Sequence, residues 1–145
     1  DSNAISSAIR TATRLGVDLI QISIDGRLSD KAIERIGLAA EAGIQVVMSA
    51  GNDGRRSETA DAASGLGPNV HVVGSLDKSG NRSEFTSYSR SDDVVLVMRP
   101  GENVETLDGR NRQVKVTGTS FAAPIYAAEL LQAMPDRRTV QTAAR

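Results

Sequence analysis

Short apolar runs alternate with segments of helical periodicity, and this alternation constrains the fold more than any other feature of the chain. Apolar residues recur on one side of two segments, 3–14 and 30–42. The apolar runs between and after them are rich in β-branched residues, as is typical of parallel strands buried on both faces. These runs are residues 17–24, 44–50, 70–76 and 94–98. The sequence therefore predicts an α/β fold, a three-layer parallel sheet with helices on both faces.

The remaining segments are polar and predict loops and one hairpin. Residues 55–69 and 77–93 are polar and rich in Gly and Ser, which is typical of loops. Asp108-Gly109 lies between valine-containing runs within residues 103–116, which is a hairpin pattern. Since the sequence has neither an internal repeat nor a linker, we predict one structural unit over residues 1–145.

Composition argues against several kinds of partner. The 17 Lys and Arg nearly balance the 18 Asp and Glu, so no basic surface for nucleic acid is predicted. No apolar run reaches the roughly 18 residues that a membrane span needs. With one His and no Cys, a zinc site is not expected, and we predict no cofactor.

A serine follows a glycine and a threonine at the start of an apolar helix in Gly118-Thr119-Ser120-Phe121-Ala122-Ala123-Pro124. The first-turn N–H groups of a helix lack intrahelical partners and favour negative charge. Gly118 permits a close approach of backbone or substrate, and Pro124 is expected near the end of the first turn, where a missing N–H costs little. Ser120 is therefore a candidate nucleophile, on a helix that is apolar nearly all round and expected to be buried.

An asparagine follows the apolar run 44–50. This run ends in Ser49-Ala50-Gly51 and presents Asn52. Ligands of open α/β sheets bind outside the carboxyl ends of the strands. An asparagine amide at that place can donate a hydrogen bond to a developing oxyanion, which acyl transfer at a serine requires.

At these two stretches the chain resembles the subtilisin-like serine proteases. Gly-Thr-Ser-x-Ala-x-Pro around Ser120 matches the nucleophile motif of that family, and Ala-Gly-Asn around Asn52 matches its oxyanion-hole motif. Four further segments match the family's landmarks in order, namely 16–24, 68–74, 85–89 and 98–101. The resemblance covers residues 3 to about 134, and it implies that residues 1–145 are the C-terminal portion of a subtilisin-like peptidase domain.

The resemblance also implies a partner segment, because the family's catalytic Asp and His lie upstream in sequence contexts that this chain lacks. His71 is the only histidine, and it lies in a strand-like Val-His-Val-Val context. The expected partner is therefore a complementary N-terminal segment that carries Asp and His. Cleavage or truncation would explain why it is separate from this chain. The segment would also cover one edge of the sheet and one side of the Ser120 helix. Secretion, and calcium binding in many members, are implied by the family alone.

Substrate contacts follow from the same resemblance. A polypeptide substrate is expected to extend beside Ser23, Ile24, Asp25 and Gly26. The side chain before the scissile bond is expected near Ser49, Ala50 and Gly51, and Thr119 joins the substrate-binding residues. Asp25 stands where the family usually has Gly, so three interpretations are open: it narrows the cleft, it favours basic substrate residues, or it is a solvated turn residue.

Two other functions remain open at this point. A pseudoprotease would keep the fold and the cleft as a peptide-binding or regulatory module. An unrelated α/β domain would bind a small ligand at its strand ends. Under that interpretation Ser120 only caps a helix and Asn52 only forms a turn.

Overall fold

A four-stranded parallel sheet forms the centre of the computed structural model, which describes residues 2–24, 26–90, 92 and 94–135. Its strands follow one another in chain order across the sheet: β1 (Leu19–Ile22), β2 (Gln45–Ser49), β3 (Val70–Leu76) and β4 (Val97–Pro100). Four helices surround it: α1 (Ser2–Leu15), α2 (Asp30–Glu41), α3 (Glu58–Ala63) and α4 (Thr119–Ala133). An antiparallel hairpin of β5 (Val104–Leu107) and β6 (Gln113–Val116) precedes α4.

The sheet separates two apolar cores, so the predicted three-layer α/β fold is confirmed. On one face, α1, α2 and α3 pack against the sheet through residues such as Ile9, Ile36 and Ala60. On the other face, α4 packs through Ala122, Ala123 and Ala127 against alternate strand residues. The sheet buries both faces because successive strand side chains point to opposite sides and both sides are apolar.

Three predicted element boundaries were wrong. The first strand is confined to β1, and the fourth begins at Val97 because Val94 and Leu96 pack against the first core before strand pairing starts. The predicted loop 55–69 contains α3. Ser57 caps this short helix by accepting a hydrogen bond from the Ala60 N–H at 3.0 Å. Such a helix is stabilised by its cap and packing rather than by propensity, so periodicity did not reveal it.

α4 differs from the predicted all-round buried helix. Its small residues face the sheet, whereas the opposite side is open and leaves Leu131 47% exposed. Pro124 lies in the second turn, as the sixth helical residue, and not near the end of the first. Among the described residues, nothing covers this open side. No described helix has the length and apolar character that crossing a bilayer demands.

The β1 side of the sheet is also open. β1 pairs with β2, and no described strand pairs with its other edge. An apolar cleft of about 450 Å³ lies there between α1 and β1. Its lining includes Ile5, Ile9, Ile20 and Ile22. The fold therefore leaves an unpaired backbone edge beside an apolar cleft, which is an arrangement prone to association.

Candidate active site

The carboxyl ends of the strands meet the N-terminus of α4 at one edge of the sheet. The Gly118 N–H donates to the carbonyl of Gly101, just after β4, at 2.8 Å. The Gly51 N–H, just after β2, donates to the Thr119 hydroxyl at 3.2 Å. These two bonds fix the first turn of α4 to the ends of β2 and β4. Residues far apart in sequence are thus brought to one place.

Asn52 is bonded directly to the residue before the candidate nucleophile. Its Oδ1 accepts from the Thr119 N–H at 2.8 Å and from the Thr119 hydroxyl at 3.0 Å. Both bonds occupy the amide oxygen, so the Nδ2 hydrogens stay available to an acceptor outside. Asn52 is exposed, and the backbone and side chain of Thr119 fix which end of its amide faces the protein.

Glycine is required where these segments approach each other. Gly118 adopts φ 150°, in a region that other residues avoid. A Cβ on Gly118 would lie 3.5 Å from Asn52 Nδ2. Gly51 adopts φ 102°, and a Cβ there would lie 3.1 Å from the Ser87 hydroxyl. The positive φ angles of Gly51 and Gly118 therefore favour glycine on both segments that meet at the Asn52–Thr119 contact, and a Cβ at Gly51 would also crowd Ser87.

Ser120 is half-buried at the second position of α4. Its N–H belongs to the first turn, where helical N–H groups have no intrahelical acceptor and can bind an anion. Its carbonyl accepts a hydrogen bond from the Ser23 hydroxyl at 3.0 Å. No residue in the described part of the chain shares a hydrogen bond with the Ser120 hydroxyl, so that oxygen is open to a base or a substrate.

Two clefts flank Asn52. One, of about 200 Å³, is lined by residues after β1 and β2 together with the start of α3. The other, of about 690 Å³, is lined by Asn52, Phe85, Thr117 and several charged side chains. Asp53 lines both clefts. The two clefts therefore adjoin the segment that carries Asn52.

The structure brings most of the predicted site residues together. Ser23 contacts Ser120, and Thr119 contacts both Gly51 and Asn52. Four predicted substrate-binding residues line the smaller cleft: Ile24, Gly26, Ala50 and Gly51.

One predicted residue stands apart from the smaller cleft. Ser49 is buried at the end of β2 and is not among the residues that line it. Asp25 lies outside the described residues.

His71 lies at the other end of the sheet. It is the second residue of β3, whereas the site is at the carboxyl ends of the strands. Its Nε2 bonds with Gln45 Oε1 at 2.7 Å, and its Nδ1 bonds with the Tyr126 hydroxyl at 3.3 Å. Tyr126 is six residues, or about 9 Å along the helix axis, from Ser120. His71 is thus a bonded residue of the sheet face, away from the candidate nucleophile.

One supporting residue was missed by sequence reasoning. Ser57 donates to the carbonyl of Ala50 at 2.6 Å and fixes a wall of the smaller cleft. The available signal was a Ser followed three residues later by Ala in an otherwise polar segment, which is a weak indication of a helix cap. Its partner Ala50 is close only because the chain folds back after β2.

The sequence matches the subtilase family over residues 1–143, and the chain belongs to that family. It is 33% identical over 127 residues to Subtilisin DY of Bacillus licheniformis, a match that covers 86% of this chain and 45% of the relative. It is 32% identical over 129 residues to the major intracellular serine protease of Bacillus subtilis (strain 168), covering 87% of this chain and 40% of the relative.

Solved structures show the same fold. The patellamide maturation protease PatA superposes with a TM-score of 0.74 at 25% identity, over 88% of this chain and 47% of that one. A cold adapted subtilisin-like serine proteinase gives a TM-score of 0.74 at 20% identity, over 92% of this chain and 49% of that one. The chain therefore spans less than half the length of these relatives.

Proposed function

We propose that this chain is the nucleophile-bearing part of a subtilisin-like serine endopeptidase. The observation that carries the proposal is the bonding of Asn52 to Thr119, immediately before Ser120. These bonds bring the Asn52 amide group and the first turn of α4 together at the residue before Ser120. That combination of a nucleophile with nearby donors is what acyl transfer uses.

In the proposed reaction, the Ser120 hydroxyl attacks the carbonyl carbon of a peptide bond. A histidine from an upstream segment takes the hydroxyl proton, and an aspartate from that segment orients the histidine. The Asn52 amide and the Ser120 N–H stabilise the oxyanion. The histidine then returns the proton to the leaving amine, and water hydrolyses the acyl-enzyme by the same steps. All these groups are protein groups, so this chemistry needs no cofactor.

The proposed substrate is a polypeptide bound on both sides of the scissile bond. The clefts on either side of Asn52 support this, because an endopeptidase holds its substrate before and after the cleaved bond. Ile24, Gly26, Ala50 and Gly51 line the smaller cleft and would contact the side chain that precedes the bond. The charged lining of the larger cleft would contact the leaving segment.

The upstream segment is proposed to cover the open side of the molecule. Three features support it: the unpaired edge of β1, the apolar cleft against α1, and the open side of α4. A further parallel strand beside β1 would bring its own carboxyl end to the edge where Ser120 lies.

Secretion is proposed from the family alone. It is checked by fractionating the producing cells, and recovery only inside them would contradict it.

Fluorophosphonate labelling of the native preparation tests the proposed function. We expect one phosphonyl adduct on Ser120 by peptide mass spectrometry, together with residues upstream of this chain in the same sample. Ser120→Ala should abolish the adduct and lower turnover about 10⁶-fold, as loss of a triad nucleophile does. An unlabelled protein with its upstream segment present would contradict the proposal and favour the pseudoprotease.

Asn52→Ala is the matched test of the oxyanion donor. We expect kcat to fall about 10²- to 10³-fold with little change in KM, because the donor acts on charge that develops in the transition state. Gln113→Ala, which removes an exposed side-chain amide at the start of β6, is the control and should leave kcat unchanged. An unchanged kcat in Asn52→Ala would remove this residue from the mechanism.

A further inference from the structure

Pro124 leaves the carbonyl of Ser120 without its helical partner. In an α-helix, the carbonyl of residue i accepts a hydrogen bond from the N–H of residue i+4. Residue 124 is that donor for Ser120, and a proline has no N–H. The carbonyl belongs to the candidate nucleophile itself and lies in a half-buried position. An unsatisfied carbonyl there would cost stability and loosen the first turn of α4.

Ser23 supplies the missing donor. Its hydroxyl donates to the Ser120 carbonyl at 3.0 Å, across 97 positions of sequence. Gln21 Nε2 in turn donates to the Ser23 oxygen at 2.5 Å. Because the Ser23 oxygen accepts from Gln21, its own hydrogen is directed to the Ser120 carbonyl. The end of β1 therefore completes the hydrogen bonding of the helix turn that carries the nucleophile.

We propose that Ser23 is a positioning residue for Ser120, with its hydroxyl in place of the amide that Pro124 lacks. The inference rests on the proposed function, since it assigns a role within that same site. The bond fixes the Ser120–Phe121 peptide plane, and with it the direction of the Ser120 side chain. Ser23 also begins the segment that lines the smaller cleft through Ile24 and Gly26. The Ser23–Ser120 hydrogen bond therefore connects this wall of the cleft to the nucleophile residue.

A hydroxyl-specific series on the intact protease tests the role. Ser23→Ala is expected to lower kcat for a peptide substrate about tenfold, which corresponds to one neutral hydrogen bond, with KM changed less than about twofold. Ser23→Thr keeps the hydroxyl and should recover most of kcat. Ser23→Val has the shape of threonine without the hydroxyl and should resemble Ser23→Ala.

Labelling with a small fluorophosphonate separates positioning from substrate binding. This probe reacts with Ser120 but has no peptide to bind along residues 23–26. If Ser23 positions the nucleophile, Ser23→Ala lowers the labelling rate by about the same factor as kcat. If Ser23 only contacts substrate, KM rises and the labelling rate stays at the wild-type value, which would overturn the proposal.

A double-mutant cycle of Ser23→Ala with Pro124→Ala, read by thermal unfolding, tests the proposal without an activity measurement. Pro124→Ala restores the N–H at position 124, so the helix can bond the Ser120 carbonyl itself. We expect Ser23→Ala to lower Tm by about 2–4 °C in the otherwise wild-type protein, and by clearly less when Pro124→Ala is also present. Equal losses in both backgrounds would show that the hydroxyl does not replace the amide, and would overturn the proposal.

The two proposals fail in different ways. If fluorophosphonate does not label the wild-type protease, the proposed function is contradicted, and the positioning role is contradicted too. The Tm values of the Ser23→Ala and Pro124→Ala variants would still measure whether the Ser23 hydroxyl bonds the Ser120 carbonyl. A wild-type protease that is labelled as fast as Ser23→Ala contradicts only the positioning role.

Discussion

At the scale of single residues, close backbone approach governs the candidate site. Gly101 follows β4 and accepts a hydrogen bond from the Gly118 N–H. A Cβ on Gly101 would lie 2.4 Å from the Ser75 hydroxyl oxygen and 3.0 Å from the Gly118 carbonyl oxygen. Ser75 cannot easily move, because it is fully buried and its hydroxyl bonds with that of Ser83 at 2.8 Å. Gly101 therefore fits between β3 and the turn before Ser120 only because it has no Cβ.

Gly101→Ala is expected to destabilise the protein and to displace the Gly118 turn. The cost should be about 1–3 kcal/mol in the free energy of unfolding, the usual cost of overpacking. Gly109→Ala is the matched control, because a Cβ at Gly109 meets nothing within 4 Å. Denaturant unfolding of the two variants measures the difference. Equal stabilities would show that the turn before Ser120 adjusts freely.

At the scale of elements, α4 is fixed to the sheet by polar groups as well as by its alanines. Arg99 on β4 forms an ion pair with Glu129 on α4 at 2.6 Å, and its guanidinium lies 5.1 Å from the centre of the Tyr126 ring. Tyr126 in turn bonds with His71 on β3. These contacts anchor the helix behind its first turn, and they give Arg99 a structural role.

His71 makes this anchorage sensitive to acid. Burial lowers the pKa of His71 from its ordinary 6.5, because removal from water disfavours the charged ring. The charged groups near the cluster are Arg99 and Glu129, which neutralise each other. A histidine with a lowered pKa contributes stability that is complete above pH 6.5 and declines as the pH falls through 6.5 towards the folded pKa.

We therefore expect Tm to fall more steeply between pH 7 and about pH 5 in the wild-type protein than in His71→Gln, which cannot take up a proton. Thermal melts of both proteins across that range provide the measurement. Parallel Tm curves would show that His71 does not couple folding to protonation.

At the scale of the whole molecule, the described residues leave one side of the sheet and one side of α4 open. The β1 edge has unpaired backbone groups, and the cleft beside it is lined by isoleucines and alanines. An unpaired strand edge beside an apolar surface readily pairs with a strand of another segment or of another chain. The stability of this chain is therefore expected to depend on a partner segment at that edge.

We expect the chain alone to associate in solution, and to become a discrete one-to-one complex when expressed with the proposed upstream segment. Size-exclusion chromatography with light scattering distinguishes these states. Gln21→Lys on β1 is expected to reduce the association of the chain alone, because a charge at an open strand edge discourages pairing between copies. A chain that is monomeric and folded by itself would contradict the proposed dependence on the upstream segment.

Much of the fold could be predicted because its signals are local. The helical patterns of 3–14 and 30–42 and the hairpin of 103–116 were all found where predicted. The start of β4 and the short helix α3 were not. Their positions depend on strand pairing with β3 and on the burial of Ala60, which are contacts with distant residues.

Residue types and their order are enough to identify which groups could do the chemistry: a serine that opens an apolar helix and an asparagine that follows a strand. How these groups are held depends on long-range contacts. The tertiary structure bonds Asn52 to Thr119, and it places the Ser23 hydroxyl where Pro124 leaves a carbonyl without a donor. A hydrogen bond between residues 97 positions apart leaves no periodicity in the chain. It exists only because the parallel sheet brings the ends of its strands to one edge.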